Sequence, residues 1–220
     1  MRTVVFDLDG TLMDTSGDLL AAANACFRQM GHGDVLRRGR DDGVALRGGK
    51  AMLRAGLGYL GLDDEALVER WYRPLLEAYG AAIDVHSTLY PGTMEAVARL
   101  VDEGYRVAIC TNKPEALARQ LLVSQGILDS FHALVGADTL PVRKPAPEPL
   151  WAAVERAGGA RARSCLVGDT QTDRDTARAA GVPCILVGFG PGGGDMAALE
   201  PEAIVPDMAA LPAAVAKLRL

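Results

Sequence analysis

Thr3-Val4-Val5-Phe6-Asp7-Leu8-Asp9-Gly10-Thr11 runs from β-branched and aromatic residues straight into two acids separated by one leucine. A short run without alternation reads as a buried strand, and the acids after it as the start of a loop. Comparable runs recur at 106–110, 133–136, 165–167 and 184–187. Helical patterns lie between them. Residues 93–103 set Met94, Val97, Ala98 and Val101 on one face, with Gly104 as a stop. Residues 114–125 open with a proline suited to a first helical turn and end at Gly126. Residues 147–157 and 174–180 repeat the scheme, ending at Gly158 and Gly181. Strand and helix in short cycles imply an α/β fold, a Rossmann-like parallel sheet with helices on both faces.

The interval after the first strand breaks the rhythm. Residues 15–86 contain no convincing strand, only amphipathic helical patterns at 16–30, around 50–60 and at 63–82. The last carries Leu67, Trp71, Leu75 and Leu76, and Pro74 is expected to kink or split it. A loop of that length without purpose is uncommon, so 15–86 reads as an inserted all-helical lobe. The core is then 1–14 with 87–220, and the segments 14–16 and 87–92 are plausible hinges.

Of the 220 residues, 49% are hydrophobic and 23% charged, an ordinary globular composition. The net charge of −5 and the lack of a basic stripe argue against nucleic acid as a partner. Aromatics at 5% are too sparse for a base-stacking platform. Cys26, Cys110, Cys165 and Cys184 have no CxxC spacing, which suits a reducing cytoplasm. The start of the chain carries no apolar signal core, and the longest uncharged stretch, 179–194, is too short to span a bilayer. A cytoplasmic protein with no membrane partner is expected, monomeric or homodimeric.

Ligands of open parallel sheets bind beyond the carboxyl ends of the strands. The residues there are Asp7 and Asp9, Thr111 and Asn112, Lys144, and Asp169 with Asp173. Four carboxylates that close cannot all ionise without a cation. Mg²⁺ fits, since it accepts one or two carboxylates together with phosphate oxygens and water. Such a site suits phosphoryl transfer, in which one carboxylate attacks phosphorus and another, two residues on, moves the proton. The Thr111 hydroxyl and backbone donors near Leu8 and Asn112 could complete a phosphate cradle.

Phe-Asp-Leu-Asp-Gly-Thr at 6–11, Thr111-Asn112-Lys113, Lys144-Pro145 and Gly168-Asp169 with Asp173 resemble the four ordered motifs of the haloacid dehalogenase superfamily. The helical insertion is similar to that superfamily's small C1-type cap, and the nearest likeness is to bacterial phosphoglycolate phosphatases. The resemblance implies Asp7 as nucleophile and Mg²⁺ ligand. Asp9 would be the general acid and base, its backbone carbonyl also reaching the metal. Thr111 and Asn112 would bind phosphate, and Lys144 would orient phosphate and nucleophile. Asp169 would complete the protein ligands, with Asp173 behind them or paired with Lys144. The acid at position 9 implies a phosphohydrolase and not a dehalogenase, because the dehalogenases lack a carboxylate there. Thr170 departs from the Ser or acid common in relatives. The implied substrate is a small phosphorylated metabolite, 2-phosphoglycolate first. A sugar-phosphate mutase, another small-metabolite or pyrophosphate phosphatase, and a non-catalytic phosphate binder are the alternatives.

Blander readings attach to several residues. Thr111 could cap the helix at Pro114, Asp173 could cap the helix that follows it, and Lys144 alone would be a surface lysine. Gly188-Phe189-Gly190-Pro191-Gly192-Gly193 matches a dinucleotide fingerprint formally, but its proline and the short helical stretch after it favour a loop near the site mouth. Gly48-Gly49-Lys50 hints at a phosphate loop, yet Ala51 stands where a Ser or Thr is needed. Among candidates to meet a substrate carboxylate, Arg47 is the best placed, followed by Lys50 and Arg54.

Overall fold

The computed structural model describes residues 1–190 and 195–220. The tail of the glycine-rich stretch, 191–194, lies outside the described residues. The chain divides into two compact units, Met1–Met13 with Leu89–Leu220, and Asp14–Thr88.

The first unit is built on β1 (Thr3–Phe6), β4 (Arg106–Cys110), β5 (Ala133–Val135), β6 (Ser164–Gly168), β7 (Cys184–Val187) and β8 (Ala203–Val205). All neighbours pair in parallel, in the order β5-β4-β1-β6-β7-β8. β2 (Met13–Asp14) and β3 (Thr88–Leu89) are two-residue strands where the chain passes between the units. The helices of the first unit are α5 (Thr93–Asp102), α6 (Glu115–Ser124), α7 (Glu148–Arg156), α8 (Gln171–Ala180) and α9 (Leu211–Lys217).

Strand side chains alternate between faces. Val5, Ala108, Cys110, Val135, Leu166, Cys184 and Leu186 form one core face, packed with Leu150, Ala153 and Val154 of α7 and Ala177 of α8. The neighbours of these residues in the strands, such as Val4, Phe6, Val107 and Ile109, are equally buried, so the sheet is covered on its other face too. All four cysteines are free and buried.

Three sequence expectations change here. β8 and α9 lie in a stretch to which the sequence reading assigns no element; the strand is only Ala203-Ile204-Val205, set with Glu202 between Pro201 and Pro206. α5 buries Thr93, Ala96, Val97 and Leu100, and Val101 is exposed. That face is rotated by about one residue, or roughly 100°, from the expected one.

The second unit contains α1 (Ser16–Gln29), α2 (Asp42–Ala45), α3 (Gly49–Tyr59) and α4 (Glu65–Ala81). The third change is that α4 is not split at Pro74 but continues through it, burying Val68, Leu75 and Tyr79. Its packing outweighs the missing proline donor. Asn24 of α1 is a buried tether for the chain that follows. Its Oδ1 accepts from the backbone N–H of Val35 (3.0 Å) and Leu36 (2.9 Å), and its Nδ2 donates to the Leu36 carbonyl (2.8 Å). No helix among the described residues is long and apolar enough to cross a membrane.

Asn24→Ala removes all three bonds at once and leaves buried backbone groups without partners. It is expected to lower stability by roughly 1–3 kcal/mol, read as a lower urea midpoint of the helical unit. An unchanged midpoint would contradict that role.

Candidate active site

The register of the sheet assembles the site. Phe6 lies level with Ile109 on one side and Val167 on the other. Asp7, Thr111 and Asp169 therefore emerge near one another at the carboxyl edge, within a residue or two of that level. The Asp7 N–H continues the ladder by donating to the Val167 carbonyl at 2.8 Å. The turn after it returns Thr11, whose buried hydroxyl donates to Asp169 Oδ1 at 2.8 Å.

Asp173 is the hub beneath these residues. Its Oδ1 accepts from Lys144 Nζ at 2.6 Å. Its Oδ2 accepts from the N–H of Asp169 (3.3 Å) and of Thr170 (3.1 Å), and from Thr170 Oγ1 (2.6 Å). Four donors are as many as a carboxylate has acceptor sites. Thr170 returns the contact by capping α8 through the Asp173 N–H. Helix capping and lysine pairing are thus both performed by one side chain. Glycine at 168 makes room for it, since a Cβ there would stand 2.4 Å from Asp173 Cβ.

Lys144 is buried and bridges two acids, with Nζ 2.6 Å from Asp173 and 3.0 Å from Asp7 Oδ1. Burial works against its charge, but Asp173 and Asp7 outweigh burial and hold it above the ordinary lysine range. The Asn112 amide donates to the Lys144 carbonyl at 3.0 Å and so steadies the loop that carries the lysine. The Thr111 hydroxyl accepts from the Lys113 N–H at 3.1 Å. No side-chain cap holds α6, and the Glu115 N–H is taken by Asp138 instead.

Two carboxyls are left in surplus. Burial pushes Asp7 up to about 6; Lys144 opposes the shift and Asp173 and Asp9 add to it. Burial, then Asp173 and Asp7, raise Asp169 well above the usual carboxylate range. Asp169 Oδ2 is buried and has no hydrogen-bond partner among the described residues. One oxygen each from Asp7, Asp169 and Asp173 lie within 4.8 Å of one another. A close set of carboxylates, with an unpartnered oxygen on Asp169, fits a divalent cation.

Asp9 stands outside that trio. Its Oδ1 accepts from Lys113 Nζ at 2.6 Å, and the lysine side chain is only 4% exposed. Lys113 has no role in the sequence reading. It is visible there as a lysine after a strand end, but its pairing with residue 9 follows only from the β1–β4 register. Thr11 was likewise visible without its partner Asp169. The loop after β7 reaches the site at Gly190, where a Cβ would stand 2.8 Å from the Gly10 carbonyl.

In the helical unit, Arg47 is exposed between α2 and α3. Lys50 pairs with Glu69 and Arg54 with Glu65, so both of these cations are engaged within their own unit.

The raised Asp7 carboxyl sets a pH dependence. Between about pH 4 and 6 it keeps its proton in the folded state and has lost it in the unfolded chain. The folded state is therefore favoured at low pH and loses that advantage as pH rises through the window. Asp7→Asn removes the effect. In EDTA, the variant should gain on wild type by about 1 kcal/mol between pH 5 and 7, measured by urea unfolding. A gap that stays constant or narrows would contradict the assignment.

A family model described as haloacid dehalogenase-like hydrolase matches residues 1–181. A phosphoglycolate phosphatase of Mesorhizobium japonicum is 40% identical over 209 residues, covering 94% of this chain and 92% of that protein. A phosphoglycolate phosphatase of Agrobacterium fabrum is 37% identical over 218 residues, covering 97% and 92%. The crystal structure of a predicted phosphoglycolate phosphatase from Haemophilus somnus 129pt shares the fold, with a TM-score of 0.84 over 97% of each chain at 24% identity. Every acid and lysine of the edge falls inside the matched span, and the chain belongs to the haloacid dehalogenase-like hydrolase family.

Proposed function

We propose that this chain hydrolyses a small phosphate monoester, 2-phosphoglycolate, by way of a phosphoryl group carried on Asp7. The environment of Asp7 carries the reading. A nearly buried carboxylate, 3.0 Å from a lysine and beside the orphaned Asp169 oxygen, is equipped to attack phosphorus. Asp9, two residues on, protonates the leaving oxygen and then takes a proton from the incoming water. Lys144, fixed by Asp173 and by the Asn112 contact to its backbone, balances charge on the transferring group. Thr111 and Asn112 would receive the phosphate.

Mg²⁺ is the proposed cofactor. Asp7 and Asp169 would hold it with the Asp9 backbone carbonyl, and Asp173, its acceptor sites filled, would stay behind them. Bound there, it supplies Lewis-acid polarisation of the phosphoryl oxygens. The choice of 2-phosphoglycolate rests on the relatives named phosphoglycolate phosphatase at 37% and 40% identity. The helical unit is proposed as a cap that excludes water during turnover.

A panel of metabolite phosphates with Mg²⁺ or EDTA tests the reading. Phosphate release from 2-phosphoglycolate, abolished by EDTA, is expected; inertness across the panel would sink it. Asp7→Asn should lower turnover by roughly a thousandfold or more with its far-ultraviolet circular dichroism unchanged. Turnover near the wild-type rate would remove Asp7 as nucleophile.

A further inference from the structure

Lys113 is a second buried cation of the site, paired with a different acid from the two that Lys144 bridges. Its Nζ lies 2.6 Å from Asp9 Oδ1, and its backbone is pinned at both ends. Its N–H donates to Thr111 Oγ1 at 3.1 Å, and its carbonyl accepts from the Ala137 N–H at 2.9 Å. A lysine that gives up its hydration to burial needs strong anionic partners. Asp9 is one of them. An ammonium has three donors, enough to hold Asp9 and a second carboxylate together.

The leaving group brings that carboxylate to the same place. If Asp9 protonates the ester oxygen, that oxygen lies against the Asp9 carboxyl. In a phosphorylated two-carbon hydroxy acid the carboxylate carbon is two bonds from the ester oxygen. A cation that touches Asp9 is then within hydrogen-bond reach of the carboxylate. Lys144 cannot serve this purpose, because Asp7 and Asp173 hold it on the phosphoryl side.

We propose that Lys113 binds the carboxylate of the leaving group, and so selects phosphate esters of short hydroxy acids over uncharged alcohols of the same size. The inference rests on the proposed hydrolysis and on Asp9 as its proton donor. It makes Lys113 a specificity residue as well as a neighbour of Asp9.

The test compares kcat/KM for 2-phosphoglycolate and for ethyl phosphate, with Mg²⁺, in wild type, Lys113→Met, Lys113→Gln and Arg47→Met. Loss of the Asp9 contact alone would slow both substrates alike. Loss of carboxylate recognition lowers the ratio of the two, and a drop of at least tenfold is expected in both Lys113 variants. A ratio unchanged by either Lys113 variant, or one lost only in Arg47→Met, overturns the proposal. Calorimetric binding to Asp7→Asn separates this from the failure of the hydrolytic reading. There 2-phosphoglycolate should bind at least tenfold tighter than ethyl phosphate, and the two should bind alike once Lys113→Met is added. Equal affinities with Lys113 present overturn the inference whichever way the hydrolysis assays fall.

Discussion

Asp7, Asp9, Asp169 and Asp173 gather at one edge of a sheet, and the buried cations set among them are Lys113 and Lys144. Asp9 is matched by Lys113 and Asp173 by Lys144. Two carboxyls are left over, and they are the ones whose proton affinity burial raises, Asp7 and Asp169. A surplus of two negative charges in a poorly hydrated place has few remedies. The carboxyls can keep protons, or a divalent cation can take their place. Other features of the site follow from managing this surplus. Thr11 donates to Asp169, three donors of the α8 N-terminus turn inward to Asp173, and Asn112 steadies the lysine loop.

The parallel sheet makes so concentrated a charge possible. β1 lies at its centre, and its neighbours β4 and β6 end within one residue of its level. Side chains distant in sequence therefore leave the sheet at one height, and their backbones are already fixed by ladder hydrogen bonds. A reactive carboxylate on such a frame needs little further ordering when substrate arrives. The helical unit Asp14–Thr88 has its own tethers, such as the Asn24 contacts, so it can be inserted after β1 without adding strands to the sheet.

Much of this was legible from residue order. The runs at 3–6, 106–110 and 165–167 lead directly, or through one glycine, into an acid or a hydroxyl, and glycines punctuate the helices, so the α/β reading and the edge residues follow from local pattern. The sequence pattern starts the next helix at 174 behind Asp173, whereas α8 begins at Gln171 with Thr170 as its cap and Asp173 inside its first turn. What stayed hidden depends on register or on small margins of packing. The Lys113–Asp9 and Thr11–Asp169 contacts join positions that no local spacing relates. The buried side of α5 turns on whether Leu100 or Val101 faces the sheet, and a pattern rich in alanine decides that weakly. The path of α4 through Pro74 depends on tertiary packing that a proline rule does not weigh.

The surplus on Asp7 and Asp169 is proposed as a seat for a divalent cation. Thermal unfolding of wild type and Asp169→Asn, at neutral pH in EDTA and across a Mg²⁺ series, tests it without any substrate. Binding to the folded state alone should raise the wild-type melting temperature progressively with Mg²⁺ concentration, and Asp169→Asn should lose most of that rise. A wild-type melting temperature that stays the same from EDTA to saturating Mg²⁺ would contradict the claim.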